Sequence, residues 1–471
     1  MRNIRKILAL LLALFLTAAL CACAAPGSDT GLAGTSGSDA VKSADATDFM
    51  SYAGPIFPLT LAQAAPALSA DREILLDCAP YAEAPAVTVT DRYTIQNSSG
   101  EACTATVLYP FVSSLSDLEA LRPQLSVDGA GTETAIYPGA FPGWFGPASP
   151  EPEQAEQRWN LRHAESWTEY QTLLSGSYQT DALAPKPLPD QTVYVYSFTA
   201  SGETTANAAT LAITVDADPE QTTILTYGIN GYGLDDATGQ PQYSYFTNEH
   251  GQSLHLLAVL GQDLSGYAMQ GYTDGSCEQG KELDALEGTA ARTEMTLADF
   301  LRQTAAAQHH LVGDQNPTLP TDASSAAVDL LAAAAAELLN GYGVCSATPA
   351  ERYSVGMLDS LLQDAYVMQR ICYAAADVTI PTGGTVCIEV ISRKPHSFDF
   401  FGFYDNAVDG YGIMTTESIL TLKNQTARLD THGLVTIYGQ NFGFAEQGST
   451  VPLSAETEYY YLNLTAAAEE S

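Results

Sequence analysis

Short runs of alternating apolar and polar residues constrain this chain more than any other feature. Val87, Val89, Tyr93 and Ile95 alternate with Thr88, Thr90, Arg92, Thr94 and Gln96, the period of two that gives a strand one buried and one wet face. Asn97-Ser98-Ser99-Gly100 carries turn chemistry and leads to a strand around Val107, so a hairpin is expected there. Strands are also expected at Val193–Tyr196, Thr210–Val215, Thr223–Tyr227 and Leu254–Val259, with Gly228, Gly231 and Gly233 marking a turn-rich crossing. From Val378 onward the runs Thr385–Val390, Ser397–Phe401, Leu434–Tyr438 and Tyr459–Leu462 have the short-strand density of a β-sandwich.

Between these β regions the period changes to that of a helix. Thr296 stands three residues before Asp299, and Met295 can pack on Phe300, so a helix should begin there and fray near His309 and His310. An alanine-rich helix follows from about Ser324 to Asn340, stopped by Gly341. Thr348-Pro349-Ala350-Glu351 is a capping box opening a third, whose apolar stripe is Leu361, Ala365, Met368 and Cys372. Earlier, Trp159, His163, Trp167, Tyr170 and Leu174 recur at helical spacing. The fold class expected is mainly β, with Ig-like sandwich regions flanking an α-helical insert. The corresponding divisions are 49–290 for a β-rich region with one amphipathic helix, 291–376 for the helical insert, and 377–471 for a C-terminal sandwich.

Ahead of them, Arg2, Arg5 and Lys6 precede an apolar run from Ile7 to Leu20. At about 14 residues that run is short of the roughly 20 needed to span a bilayer, and its layout is that of a secretory signal. Leu20-Cys21-Ala22-Cys23 resembles the lipobox of bacterial lipoproteins, although Cys21 stands where a small residue or valine is usual. The resemblance implies cleavage before Cys23 and a diacylglyceryl thioether on it, with Cys21, itself preceded by Leu20, as the alternative, so 1–23 is expected to be the signal and the lipidated cysteine. Residues 24–48 are Ala, Gly, Ser, Thr and Asp with few large apolar side chains, a flexible tether whose reach is roughly 25 to 30 Å. The expected location is the extracytoplasmic face of a cell membrane.

Charge restricts the partners. The chain has 19 Lys+Arg against 55 Asp+Glu, a net charge of −36, and loss of the signal makes it −39. Such a field repels nucleic acid, because sequence-independent attraction to phosphates needs Lys and Arg. Beyond the signal lie Cys78, Cys103, Cys277, Cys345, Cys372 and Cys387, an even number that permits disulfides in an exported chain. Cys372 with Cys387 is the first pair to consider. Cys103, on the same strand face as Val107, and Cys372 otherwise suit core positions.

Trp167–Leu174, Ile380–Val386, Lys394-Pro395-His396-Ser397-Phe398-Asp399-Phe400 and Gln440–Phe444 are similar to segments of a group of uncharacterised exported proteins of Gram-positive bacteria. These segments are strand edges and turns, and the resemblance implies a fold and a compartment only, with no functional residue to carry over.

Chemistry-bearing motifs are sparse. Gly275–Lys281 has the spacing of a phosphate loop, yet Glu282 stands where magnesium-binding Ser or Thr is needed. Cys277, in a polar turn, is the one cysteine placed to be a nucleophile. Asp235-Asp236 lies in a Gly-rich loop but lacks EF-hand spacing. No zinc spacing occurs, so neither metal nor cofactor is expected. Phe141, Trp144 and Phe145, in a Pro- and Gly-rich loop, are candidates for stacking on a ligand such as a sugar. The expected function is that of a lipid-anchored surface protein binding a glycan or protein partner without catalysis. The alternative is an enzyme acting on wall or dietary polysaccharide, and a further option is the outer part of a signalling assembly.

Overall fold

The computed structural model describes residues 53–138, 191–202, 206–235, 237–248, 254–315, 325–341, 343–344, 357–400, 407–416, 418–445, 449–457 and 459–467. Cys23, the tether, Phe141, Trp144, Phe145, the Trp159–Leu174 face, Cys345 and the capping box at Thr348 lie outside these residues.

The protein is mainly β. The first stretch supplies β1 (Thr60–Leu61), β2 (Leu68–Asp77), β3 (Ala86–Asn97), β4 (Cys103–Ser113), β5 (Gln124–Val127), β6 (Ala130–Thr132) and β7 (Ala135–Pro138). A second supplies β8 (Thr192–Ser201), β9 (Thr210–Asp216), β10 (Thr222–Tyr227), β11 (Gly231–Leu234), β12 (Pro241–Phe246), β13 (Leu256–Gly261), β14 (Gly266–Tyr272) and β15 (Glu287–Thr296). The third supplies β16 (Arg370–Ile380), β17 (Thr385–Pro395), β18 (Ser397–Phe400), β19 (Ala407–Met414), β20 (Thr421–Asp430), β21 (Val435–Gln440), β22 (Thr450–Leu453) and β23 (Tyr459–Ala466). Helices are α1 (Leu118–Leu121), α2 (Leu297–Gln315), α3 (Ser325–Gly341) and α4 (Leu358–Val367).

A seven-stranded sheet, β22-β20-β2-β3-β17-β5-β6, is the backbone of the molecule. Its β2 pairs parallel with β20 and antiparallel with β3, and β3 pairs antiparallel with β17. Two four-stranded sheets, β1-β4-β16-β7 and β18-β19-β23-β21, lie against it. The first shares a core with Leu68, Ala70, Tyr93 and Ile95, and the second shares one with Ile74, Leu76, Val87 and Val89. These residues alternate along β2 and β3, so one face of each long strand serves two cores in succession.

At the join between those cores the same face carries Arg72 and Asp91, both fully buried. Their bidentate contact is 2.9 Å from Nε to Oδ1 and 2.8 Å from Nη2 to Oδ2. Nη1 also donates to Met414 O at 2.7 Å, and Nη2 to Phe57 O at 3.4 Å. Asp91 Oδ2 accepts from Tyr93 at 2.7 Å and from Tyr109 at 3.4 Å. Burial opposes the guanidinium charge, but Asp91 together with Tyr93 and Tyr109 outweighs it and raises the Arg72 pKa.

The middle stretch forms its own layers. One face of β10-β13-β8-β15 packs on α2, α3 and α4 through Val193, Leu225 and Leu256; the other meets β11-β12-β9-β14 through Phe198, Leu257 and Ile213. Thr296 Oγ1 accepts from Asp299 N at 3.1 Å, the cap expected for α2.

Several elements differ from the sequence reading. Strand β3 does not form a hairpin with β4, because Asn97–Gly100 carries the chain between facing sheets, and Tyr93 and Val107 then meet across one core. Helix α4 ends at Val367, and Cys372 lies on β16, where the apolar run Ile371–Ala376 continues as strand. Cys372 and Cys387 lie in different sheets and are not joined by a disulfide. Gly231 and Gly233 are inside β11. Helix α2 continues past His309, which is buried with its ring edge toward Tyr366. Pairing also groups the chain differently from the divisions at 290 and 376: first-stretch strands join third-stretch strands, whereas β8–β15 pack with the helices.

Replacing Asp91 by Asn keeps the shape and leaves the Arg72 charge buried without its counter-ion. We expect a loss of ~3–5 kcal/mol in urea unfolding, with the double variant Arg72→Met/Asp91→Leu losing less than Asp91→Asn alone. A loss below ~1 kcal/mol for Asp91→Asn would show the pair to be dispensable.

Candidate functional site

Residues from all three sheets of the larger β assembly converge on one cleft, of about 380 Å³. Val112 and Ser113 end β4, Ser114 and Asp117 form the following turn, and Leu121 ends α1. Gln369 joins α4 to β16, Pro395 ends β17, and Phe398 belongs to β18. Ala53 and His396 complete the lining.

His396 is the single residue on which the chain leaves the seven-stranded sheet and enters β18. Its Nδ1 stands 2.7 Å from Pro85 O, and because a carbonyl only accepts, Nδ1 carries the hydrogen. Nε2 lies 3.6 Å from Asp409 Oδ1. Burial raises the Asp409 pKa, opposed by His396 and by a hydrogen bond from Tyr81. Tyr81 and Tyr411 share a 2.7 Å hydrogen bond, so polar contacts run from the cleft wall to the core beneath.

Lys394 follows from the strand pattern. Val386, Ile388 and Val390 face inward, and the same period turns Lys394 inward at the end of β17, where it is buried. Its Nζ donates to Ala53 O at 2.6 Å, while Ala53 N donates to Ser397 Oγ at 3.0 Å. Burial pushes the Lys394 ammonium down to about 7. In the sequence Lys394–Phe400 has the pattern of strand edge and turn, and the alternation of Thr385–Val390, carried on by four residues, turns the lysine inward.

The opposite wall is built locally. Ser114 Oγ donates to Asp117 Oδ2 at 2.7 Å and accepts from Asp117 N at 3.1 Å, fixing the turn after β4. Phe398 presents its ring edge-to-face with His396 at 5.5 Å. The cleft lining therefore combines an aromatic ring with an imidazole, an amide and a carboxylate, the chemistry of a small polar ligand site.

The other motifs are accounted for locally. Lys281 Nζ lies 3.2 Å from Asp274 and 3.0 Å from Glu278, so the lysine of the phosphate-loop spacing is engaged by carboxylates. Burial raises the Cys277 pKa, the reverse of activation. Asp235 Oδ1 accepts from Thr238 Oγ1 at 2.7 Å and from Thr238 N at 2.8 Å, closing its own turn. The proposed ligand residues Phe141, Trp144 and Phe145, and Cys23, fall outside the described residues. No helix among the described residues is long and apolar enough to cross a membrane.

No protein-family profile matches the chain. No curated protein matches it either. Among solved structures, a protein of Legionella pneumophila subsp. pneumophila strain Philadelphia 1, provisionally described as nutrient binding, aligns at 6% identity and a TM-score of 0.31. The alignment covers 89% of this chain and 72% of that one, and a score this low carries no argument about fold or function.

Lys394 gives the site a measurable pH signature. Its folded pKa is about 7 against an ordinary 10.5, so between those values the unfolded chain holds a proton that the folded chain lacks. Stability should rise with pH across that window, while below it the full cost of the buried charge is present. Lys394→Met should stabilise the protein by ~3 kcal/mol near pH 6.5 and remove that part of the slope. Urea titrations of both proteins from pH 6 to 10 measure this, and parallel curves would contradict it.

Proposed function

We propose that this is an extracytoplasmic protein, tethered through lipid on Cys23, that binds a small sugar-like ligand without transforming it. The supporting observation is the cleft, whose lining includes the Phe398 ring, His396, Gln369 and Asp117. A sugar offers an apolar C–H face and a rim of hydroxyls, and such a wall answers both. Gln369 makes no hydrogen bond with a described residue, leaving its amide available. The aromatic loop residues Phe141, Trp144 and Phe145 are further stacking candidates in this reading.

Binding is favoured over glycoside hydrolysis by the carboxyl groups. Hydrolysis needs two, about 5 to 10 Å apart across the substrate. Among the described residues Asp117 is the carboxylate lining the cleft, and it is already hydrogen-bonded to Ser114.

Calorimetry of the soluble 24–471 product with a panel of mono- and oligosaccharides should find a ligand that is recovered unchanged. Gln369→Ala and Phe398→Ala should each weaken it at least about tenfold, equivalent to ~1.4 kcal/mol. Absence of binding across the panel, or indifference to both substitutions, would count against the reading. For the anchor, labelled fatty acid should enter the full chain and be lost in Cys23→Ser together with membrane partitioning; retention of either would remove the lipid assignment.

A further inference from the structure

We propose that the cleft's ligand carries a carboxylate, received by the Lys394 ammonium in place of the Ala53 carbonyl, so that the sugar bound is an acidic one. This rests on the cleft reading above and narrows its ligand class. The chain holds 55 acidic residues and 19 basic ones, so a lysine without an acidic neighbour is conspicuous. Lys394 is buried, yet among the described residues it has no carboxylate partner and its ammonium gives one hydrogen bond, to Ala53 O. An ammonium has three donors, and burying its charge without a counter-ion is costly.

Lys394 does not itself line the cleft, but the residue its amine holds, Ala53, does, and so do its chain neighbours Pro395 and His396. Two described acids beside the cleft are otherwise engaged. Asp409 faces His396 at 3.6 Å and receives Tyr81, and Asp117 is bound by Ser114 across the cleft. Tyr81 and Tyr411 are occupied with each other. Lys394 is thus left without a counter-ion among the described residues, and an arriving carboxylate supplies one. Pairing favours the charged amine, so above about pH 7 binding draws up to one proton from solvent onto Nζ.

Calorimetry with galacturonate against galactose, and glucuronate against glucose, tests the idea. Titrations at pH 6.5 and 8.5, in two buffers of different ionisation heat, report proton uptake. The acidic sugar should bind at least about tenfold tighter than its neutral parent, equivalent to ~1.4 kcal/mol, with proton uptake at the higher pH. Lys394→Met should lose both the preference and the uptake while still binding the neutral sugar, and its thermal unfolding checks that it is folded. Equal binding of acid and neutral forms, or a preference that survives Lys394→Met, overturns the carboxylate proposal and leaves the cleft reading standing. No binding by either class overturns both.

Discussion

The larger β assembly is organised around the buried Arg72–Asp91 ion pair. Arg72 and Asp91 sit on neighbouring strands, facing the line where one covering sheet gives way to the other. Removing two charges from water costs several kcal/mol per ion unless every donor and acceptor is met. Here they are met from distant parts of the chain: Phe57, Tyr93 and Tyr109 from one end, Met414 and Gln425 from the other. Gln425 in turn donates to Thr415 O at 2.9 Å, so the polar contacts continue into the segment leading from β19 to β20. An apolar pair could fill the space, but it could not orient five separate segments around one point.

The cleft follows from the same arrangement. Two sheets leaning on one long sheet must part somewhere, and the ends of β4, β17 and β18 surround that gap. The first described residues are fixed one by one: Ala53, at the cleft, is held by Lys394 and Ser397, Ile56 bridges to Ile413, and Leu59 N donates to Tyr93 OH. Side chains thereby satisfy backbone that has little regular strand pairing of its own. A buried amine that weakens the fold at neutral pH is the kind of local conflict found where function constrains sequence.

Strand existence was legible because alternation is a local property: Val87–Gln96, Thr210–Val215 and Thr385–Val390 all appear where their patterns fall. The cap at Thr296 was equally local. Partner choice was not. Asn97–Gly100 has the composition of a hairpin turn, yet its flanking strands each find a better neighbour more than two hundred residues away. Cys372 continues a helical period by coincidence, while its apolar surroundings in Ile371–Ala376 suit a buried strand. Of the cleft, Lys394-Pro395-His396-Ser397-Phe398 was visible as a segment, but nothing in it announces that Ala53, Ser114 and Gln369 would be its neighbours.

The parallel pairing of β2 with β20 sets an order of events. Roughly 350 residues separate Arg72 from its register partner Gln425. At ordinary translation rates that interval lasts about 20 to 70 s. Throughout it β2 has one edge without its permanent neighbour, and the acquisition of the last strands closes a loop whose entropy cost slows the final step. The strand at Leu68–Asp77 therefore waits for the one at Thr421–Asp430, remaining open to threading, chaperone capture or mispairing until that distant partner arrives.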